Sequence, residues 1–381
     1  MDRRNVLRAA GGSLAAFAAG CLGGGQPDGS DSSGSNGDGG MPELTDSWRT
    51  FQGDTANTGT GTGTVTGPAE EPSVEWSVTT DDELQGDPVI VDGTVLATSW
   101  DDQLYAISLS SGDQLWRYET GGATAPVAVA SDTVFVAGSK GAAALDLESG
   151  KPYWTTDIRV FTDGGPVIAD ETLYVPSNEH LVALSATNGG ERWRVRTAAG
   201  VGSTPHVTET AVYFASKDDN LYAASTDGEK LWQERISSQG GIPSPTVVDG
   251  VVYFAWGDGV LYALDAEDGT ELWTSQVGGK ETIAITDGIA YLAGYPLRAV
   301  DLDTREPLWT AQRPEEIPTN FTVGTERAYL GTWGAQLFAH DRETGELVWN
   351  YQDNYQVTTS VAIADDRLVY GDEFGNLTCL S

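Results

Sequence analysis

Residues 245–277 read PTVVDGVVYFAWGDGVLYALDAEDGTELWTSQV. Four β-rich runs lie in this stretch, at 246–248, 251–255, 260–264 and 271–277. Asp249-Gly250 separates the first two. That dipeptide is a strong hairpin signal, because a type I′ turn needs φ > 0 at both central positions. Residues 256–259 break the second run, and 265–270 form a turn before the fourth. No stretch shows helical periodicity. Four short antiparallel strands joined by tight turns describe one blade of a β-propeller.

The unit recurs along the chain. Trp76, Trp116, Trp154, Trp193, Trp232, Trp273, Trp309 and Trp349 follow one another at intervals of 36 to 41 residues. Pro88, Pro126, Pro166, Pro205 and Pro245 keep the same phase, and Ile283, Phe321 and Val361 take their place later. Asp92-Gly93 and Asp287-Gly288 repeat the hairpin turn. Two independent markers with one period of about 39 residues establish a repeat architecture.

The sharpest motif joins the third and fourth runs: Ala263, Asp265, Gly269, Trp273. It returns as Ala144, Asp146, Gly150, Trp154 and as Ala339, Asp341, Gly345, Trp349. Ser108 and Ser185 replace the Asp in two repeats, and Arg305 replaces the Gly in another. The spacing from Ala223 to Trp232 is one residue short. Asp or Ser caps the turn with a side-chain oxygen, and Gly supplies a left-handed backbone. The small Ala leaves room for a Trp stacked between neighbouring blades.

Counting repeats predicts an all-β fold, an eight-bladed propeller of four-stranded antiparallel blades. The last repeat has three runs, at 361–363, 367–370 and 377–380, and then the chain stops. Residues 74–78 supply the missing outer strand from the other end, which closes the ring and leaves no blade with an incomplete sheet.

This motif and its docking tryptophans resemble the pyrroloquinoline-quinone (PQQ) repeat over residues 48–381. The family includes the quinoprotein alcohol dehydrogenases and the outer-membrane assembly lipoprotein BamB. Residues 48–59 resemble a segment that precedes such propellers, expected to lie against the ring rather than make a blade. No Gly-His and Trp-Asp pairing marks a WD40 repeat, and no Gly-Gly pairs mark kelch repeats.

The N-terminus reads as an address. Residues 1–20 combine Arg3-Arg4 with an uncharged run from Ala9 to Gly20, too short to span a bilayer. Arg3-Arg4-x-x-Leu7 resembles a twin-arginine (Tat) export signal, and Ala18-Ala19-Gly20-Cys21 resembles a lipobox. The resemblance implies cleavage before Cys21 and a lipid on its thiol. Residues 21–47 are Gly, Ser and Asp rich, a flexible tether. The expected location is the outer face of the cell membrane.

Charge narrows the partners. Asp plus Glu number 56 against 21 Lys plus Arg, a net charge of −35. Nucleic acid and anionic membrane surfaces need a basic patch, so both are excluded as partners. The excess of carboxylates and the five lysines resemble proteins of extreme halophiles. Two cysteines, Cys21 and Cys379, rule out a disulfide framework.

Strand order predicts that ligands meet one face, built from the connections into each inner strand and the turns between second and third strands. Candidates there are Trp100, Asp101, Asp102, Glu179, His180, Lys217, Trp256, Asp258, Trp333, Asp372 and Glu373. Trp offers a large flat surface with one donor, suited to a sugar, quinone or peptide; packing against adjacent loops is the other reading of these tryptophans. No catalytic residue is assigned. His180, His206 and His340 lack metal-ligand spacing. The adjacent cysteine pair of many alcohol-oxidising PQQ proteins is absent, and no motif supplies calcium ligands. The expected role is therefore a non-enzymatic, monomeric, membrane-anchored scaffold binding an envelope protein or glycan, without cofactor. A PQQ- and calcium-dependent oxidoreductase is the alternative.

Overall fold

A computed structural model of the chain describes residues 48–49, 66–122, 125–161, 164–236, 243–256, 259–276, 283–294, 296–312 and 319–381. The expected signal, lipidation site and tether lie outside these residues. The described residues form eight antiparallel sheets in a propeller ring and contain no helix. Blade 1 runs Val89–Val91, Thr94–Thr98, Gln103–Ser108 and Gln114–Glu119, from the inner to the outer strand. Blade 7 repeats it as Thr322–Val323, Arg327–Thr332, Gln336–Asp341 and Leu347–Gln352.

Blade 8 takes Ala362–Ala364, Arg367–Gly371 and Asn376–Leu380 from the C-terminus and Val74–Thr79 from the N-terminal side. The registers Ser77↔Thr378 and Val78↔Leu377 close the ring as the repeat count predicts.

Burial follows radial position. Second strands are buried along their length, as in Thr133–Gly138. They alternate between two packed faces, one for each neighbouring blade, so the period-2 pattern of a half-exposed strand is missing. Outer strands bury chiefly the docking Trp, as in Gln114–Glu119. Each core therefore lies between blades. One cluster joins Leu96 and Leu104 of blade 1 to Val134 and Leu145 of blade 2. Another joins Val369 and Leu377 of blade 8 to Val95 and Ile107 of blade 1.

Every outer strand carries a bulge beside its Trp, seen as a register shift after Ala106, Ala183, Ala263 and Ala339. A bulge adds one residue on one strand and re-aims a side chain. Here it turns the indole toward the next blade. The Trp116 Nε1–H donates to the Leu147 carbonyl at 2.8 Å, and Trp154 to that of Ala186 at 2.7 Å. The role expected of Ala is thus shared. Ala106 pairs with Trp116 inside its own blade, whereas the ring lies on Gly150 of the next, where a Cβ would come within 2.6 Å. The motif Gly is needed for space as well as for its φ of +67°.

Arg305, which breaks the motif, holds the same left-handed backbone at φ 64° and spreads its guanidinium over Trp273, 5.3 Å from the ring centre. Cys379 occupies the Ala position in blade 8, paired with Trp76 and buried. A thiol is among the few side chains small enough for that place.

Upstream, Trp48–Arg49 forms a short strand paired with Ala130 and Val129. It adds a fifth strand to the inner edge of blade 2. These two residues lie against the ring by main-chain pairing, and residues 50–59 of the expected segment lie outside the described residues.

Candidate binding face

Two sets of connections build the face predicted from strand order. In blades 1, 4 and 8 the connector entering the blade runs beside that blade's second turn, and main-chain bonds lock them together. Trp100 N–H donates to Glu83 O at 3.0 Å, Lys217 N–H to Gly200 O at 2.8 Å and Glu373 N–H to Gln356 O at 3.1 Å.

In blades 7, 8 and 1 this face is aromatic and acidic. Trp333 is 51% exposed, Phe374 59%, Trp100 49% and Tyr355 40%. Tyr355 and Phe374 form a tilted pair with centroids 4.6 Å apart. The carboxylates of Asp81, Asp82, Glu83, Asp101, Asp102, Asp353 and Glu373 lie in the same connections, and no Lys or Arg lies in the described residues of these connections. Asp101 is partly occupied, accepting from the Tyr105 hydroxyl at 2.6 Å and from the Asp81 and Gln103 N–H groups at 3.0 Å. Asp102 projects from a left-handed turn at φ 69°.

Asp372 differs from its neighbours. It is 1% exposed and accepts from the N–H groups of Phe374 and Asn376 and from the Asn376 amide. It shapes the turn that presents Glu373 and Phe374, and burial pushes its carboxyl above the ordinary range.

Blades 3 and 4 hold the other candidates, and here the charges are mixed. Glu179 pairs with Arg196 at 3.2 Å, while Arg194 pairs with Glu191. His180 stands opposite Arg196 in the sheet. Burial pushes its imidazole below the usual value, and Arg194 and Arg196 add to that. Lys217 is exposed beside Asp218, which accepts from the Tyr222 hydroxyl at 2.6 Å. The structure thus distributes the candidates over two sectors. Trp256 ends a strand whose backbone alone is described there, and Asp258 lies outside the described residues.

Sequence reasoning passed over three residues. Tyr355, in a connector, and Phe374, in a second turn, complete the aromatic sector; the signal was an aromatic side chain in a connection of this face, which the connector entering blade 3 also carries in Phe161, 62% exposed. The third is Asp87, immediately before the inner-strand Pro88. Other repeats carry Ala125, Gly165, Thr204, Ser244, Asn320 or Ser360 at this place. There, the N–H of one blade donates to the side chain of the next: Gly165 to Thr204 Oγ1 at 2.9 Å, Thr204 to Ser244 Oγ at 3.1 Å, Ser360 to Asp87 Oδ1 at 2.5 Å. Asp87 is the one carboxyl among these residues, and burial raises it to about 6.

The fold raises the question of PQQ and calcium. Among the described residues, no group of three or more His, Cys, Asp or Glu is arranged to hold a metal ion. Cys379 lies between the strands of blade 8 against Trp76, with no second cysteine beside it. His206 is buried and its Nδ1 accepts the Val247 N–H at 3.2 Å, a packing role. These donors do not fit a quinone stacked on a disulfide or a calcium ion beside it. No described helix is long and apolar enough to cross a membrane.

Comparison with known proteins agrees with the fold. The PQQ_2 family profile, described as outer membrane protein assembly factor BamB, matches residues 12–159, 121–200, 138–255, 177–294 and 293–381. BamB of Burkholderia pseudomallei is 27% identical over 147 residues, which is 36% of this chain and 39% of that protein. The crystal structure of BamB from Moraxella catarrhalis superposes with a TM-score of 0.64 at 18% identity, over 81% of this chain and 99% of that one. Quinohemoprotein alcohol dehydrogenase from Comamonas testosteroni gives a TM-score of 0.71 at 14% identity, over 87% and 80%. At such identities the structures share the fold alone, and the chain spans well under half of the Burkholderia relative.

Proposed function

Because this chain belongs to the PQQ_2 propeller family described as outer membrane protein assembly factor BamB, we propose that it is a non-enzymatic scaffold that holds a partner protein on the connector face of blades 7, 8 and 1. The observation that carries this reading is the exposed set Trp333, Tyr355, Phe374 and Trp100, set among carboxylates, with no Lys or Arg in the described residues of the same connections. Aromatic faces and carboxylates together attract cations, since the ring quadrupole and the full charge act in the same direction. The matching partner is an extended protein segment carrying Lys and Arg. Anchored loops on a rigid ring suit such a task, because the scaffold fixes the connections while their side chains stay exposed.

Export and anchoring belong to the same proposal. Arg3-Arg4 and the run to Gly20 direct a Tat-type export, and Cys21 carries the lipid that holds domain 48–381 at the outer face of the membrane through the tether of residues 21–47. The acidic composition suits a medium of high salt, where screening quiets the repulsion. No cofactor takes part.

The test is titration of the protein with a Lys/Arg-bearing peptide and with a neutral oligosaccharide, followed by tryptophan fluorescence. The peptide should bind, and Trp100→Ala and Phe374→Ala should each weaken it by about fivefold, as an exposed aromatic contact of about 1 kcal/mol implies. Glu179→Gln in blade 3 should leave binding unchanged. Saturable binding of the oligosaccharide alone would replace the protein reading with a glycan one. Dye-linked oxidation of an alcohol after addition of PQQ and calcium would replace both.

A further inference from the structure

Between blades 6 and 7 one ring and one carboxylate hold one guanidinium. Arg342 lies over the Tyr291 ring, 5.9 Å from its centre. Its Nε donates to the Tyr291 hydroxyl at 3.0 Å, and its Nη2 pairs with the Asp287 carboxylate. Arg305 uses the Trp273 ring in the same way. A guanidinium suits such places because it is flat, weakly hydrated and carries its N–H groups in a fixed fork.

Blade 8 presents the same two parts on the connector face, with no Lys or Arg in the described residues of its connections. Tyr355 and Phe374 are exposed and touch each other. Glu373 precedes Phe374 in the turn. Its N–H donates to Gln356 O at 3.1 Å, and its Oε1 accepts the Gln356 N–H at 3.2 Å. This reciprocal pair fixes the carboxylate beside the backbone of Tyr355, and no described residue bonds to its other oxygen. Buried Asp372 accepts the Phe374 N–H at 2.8 Å and holds the turn. Rings and acid are therefore positioned before a partner arrives, which lowers the ordering cost of binding. The other aromatic residues of the face lack this combination. Trp100 is followed by Asp101, whose two oxygens already accept three bonds. Trp333 stands between Thr332 and Gly334, with no acid in its turn.

We infer that Tyr355, Phe374 and Glu373 form an anchor for one arginine side chain of the partner protein. The inference rests on the scaffold reading above and adds which side chain the partner must carry. With centroids 4.6 Å apart the two rings leave no slot between them, so the guanidinium lies across their outer faces and turns its N–H groups to Glu373. A lysine brings the charge without the flat face or the fork. Salt sharpens the choice. At about 1 M the Debye length is about 3 Å, so attraction at a distance fades while stacking and hydrogen bonding in contact persist.

The experiment uses the full chain at about 1 M salt and one peptide in two forms, every cation Arg in the first and Lys in the second. Binding is followed by NMR of ¹³C-labelled Phe and Tyr rings. The Arg form should bind about three- to tenfold tighter. The Phe374 ring signals, identified by their loss in Phe374→Leu, should shift as the Arg form saturates. Phe374→Leu, which keeps an apolar side chain, and Glu373→Gln, which keeps the shape, should each bring the two forms within about twofold of one another. Trp333→Leu should leave the preference for Arg in place. Equal affinities in the unmodified protein, stationary Phe374 signals, a preference that survives both Phe374→Leu and Glu373→Gln, or one lost in Trp333→Leu would each overturn the anchor and leave the scaffold reading standing. Binding of neither form would overturn both.

Discussion

The indole N–H of Trp349 donates to the carbonyl of Pro68 at 3.1 Å, across 281 residues of chain. In other blades this acceptor is supplied by the motif turn of the next blade, as Leu147 does for Trp116. Blade 8 takes its outer strand, Val74–Thr79, from the N-terminal side, so no turn joins its third and fourth strands. Residues 66–68 replace it. Gly67 N–H donates to Asp365 O at 2.9 Å, and the Tyr329 hydroxyl donates to Thr66 O at 2.6 Å. Closure is therefore made twice, by a strand and by a cap.

A graded truncation separates these two closures. A chain beginning at Ser73 keeps the strand and loses the cap, and should lose about 1–3 kcal/mol from two or three hydrogen bonds. A chain beginning at residue 80 loses the strand too, exposes the edge of Asn376–Leu380 and should aggregate. Denaturant unfolding and light scattering read the two effects. Equal stability of all three chains would contradict closure by these residues.

The tryptophans divide by role. Trp116 is 8% exposed in the interface of blades 1 and 2, so Trp116→Ala should cost about 3–5 kcal/mol. Trp100 is half exposed, and Trp100→Ala should stay within about 0.5 kcal/mol. Comparable losses in urea unfolding would mean that the blade assignment is wrong.

At the motif Gly, the added Cβ meets the Trp. Gly150→Ala combines a left-handed backbone with a 2.6 Å clash against Trp116, and should cost about 2–5 kcal/mol. Arg305→Gly runs the other way. It relieves a positive φ but removes the guanidinium over Trp273, two terms of about 1 kcal/mol that offset each other. Its midpoint should barely move.

Asp87 gives the pH test. Its folded-state value of about 6 lies above the ordinary carboxyl range. Between about pH 4 and 6 the native state holds the proton more tightly than the unfolded chain, so this residue's contribution to stability falls as pH rises through that window. Asp87→Asn keeps an acceptor for the Ser360 N–H and removes the titration. The variant should match the unmodified protein near pH 4 and exceed it by about 1–3 kcal/mol above pH 7. A constant difference across that range would show that Asp87 does not titrate there.

Salt should stabilise the ring. With a net charge of −35, repulsion among distant carboxylates opposes the compact state at low ionic strength. The Debye length falls from about 30 Å at 0.01 M to about 3 Å at 1 M. The unfolding midpoint should rise with salt up to molar concentrations, and the protein should partly unfold in dilute buffer. A midpoint indifferent to salt would remove the high-salt reading.

Much of the face was legible before the fold was known. Trp100 and Trp333 stood out because they sit at one repeat position, and both are exposed there. Asp372 was indistinguishable from Glu373 in the sequence, yet one carboxylate is buried as a turn cap and the other borders the surface. Asp87 was hidden because a lone Asp before a Pro carries no pattern. Only the hydrogen-bonded series of Thr204, Ser244 and Ser360 shows what is unusual about it.

By itself the sequence determined the number of blades, the order of strands and the closing strand. Those features are local and repeated: turn dipeptides, β-rich runs and a Trp at a fixed interval each report the backbone of a few neighbouring residues. The tertiary structure decided which residue of one repeat meets which residue of the next. That pairing set the Gly150 contact with Trp116 and the Pro68 cap on Trp349. The reason is that the cores lie between blades, so each depends on side-chain volumes from two repeats at once, which no single repeat encodes.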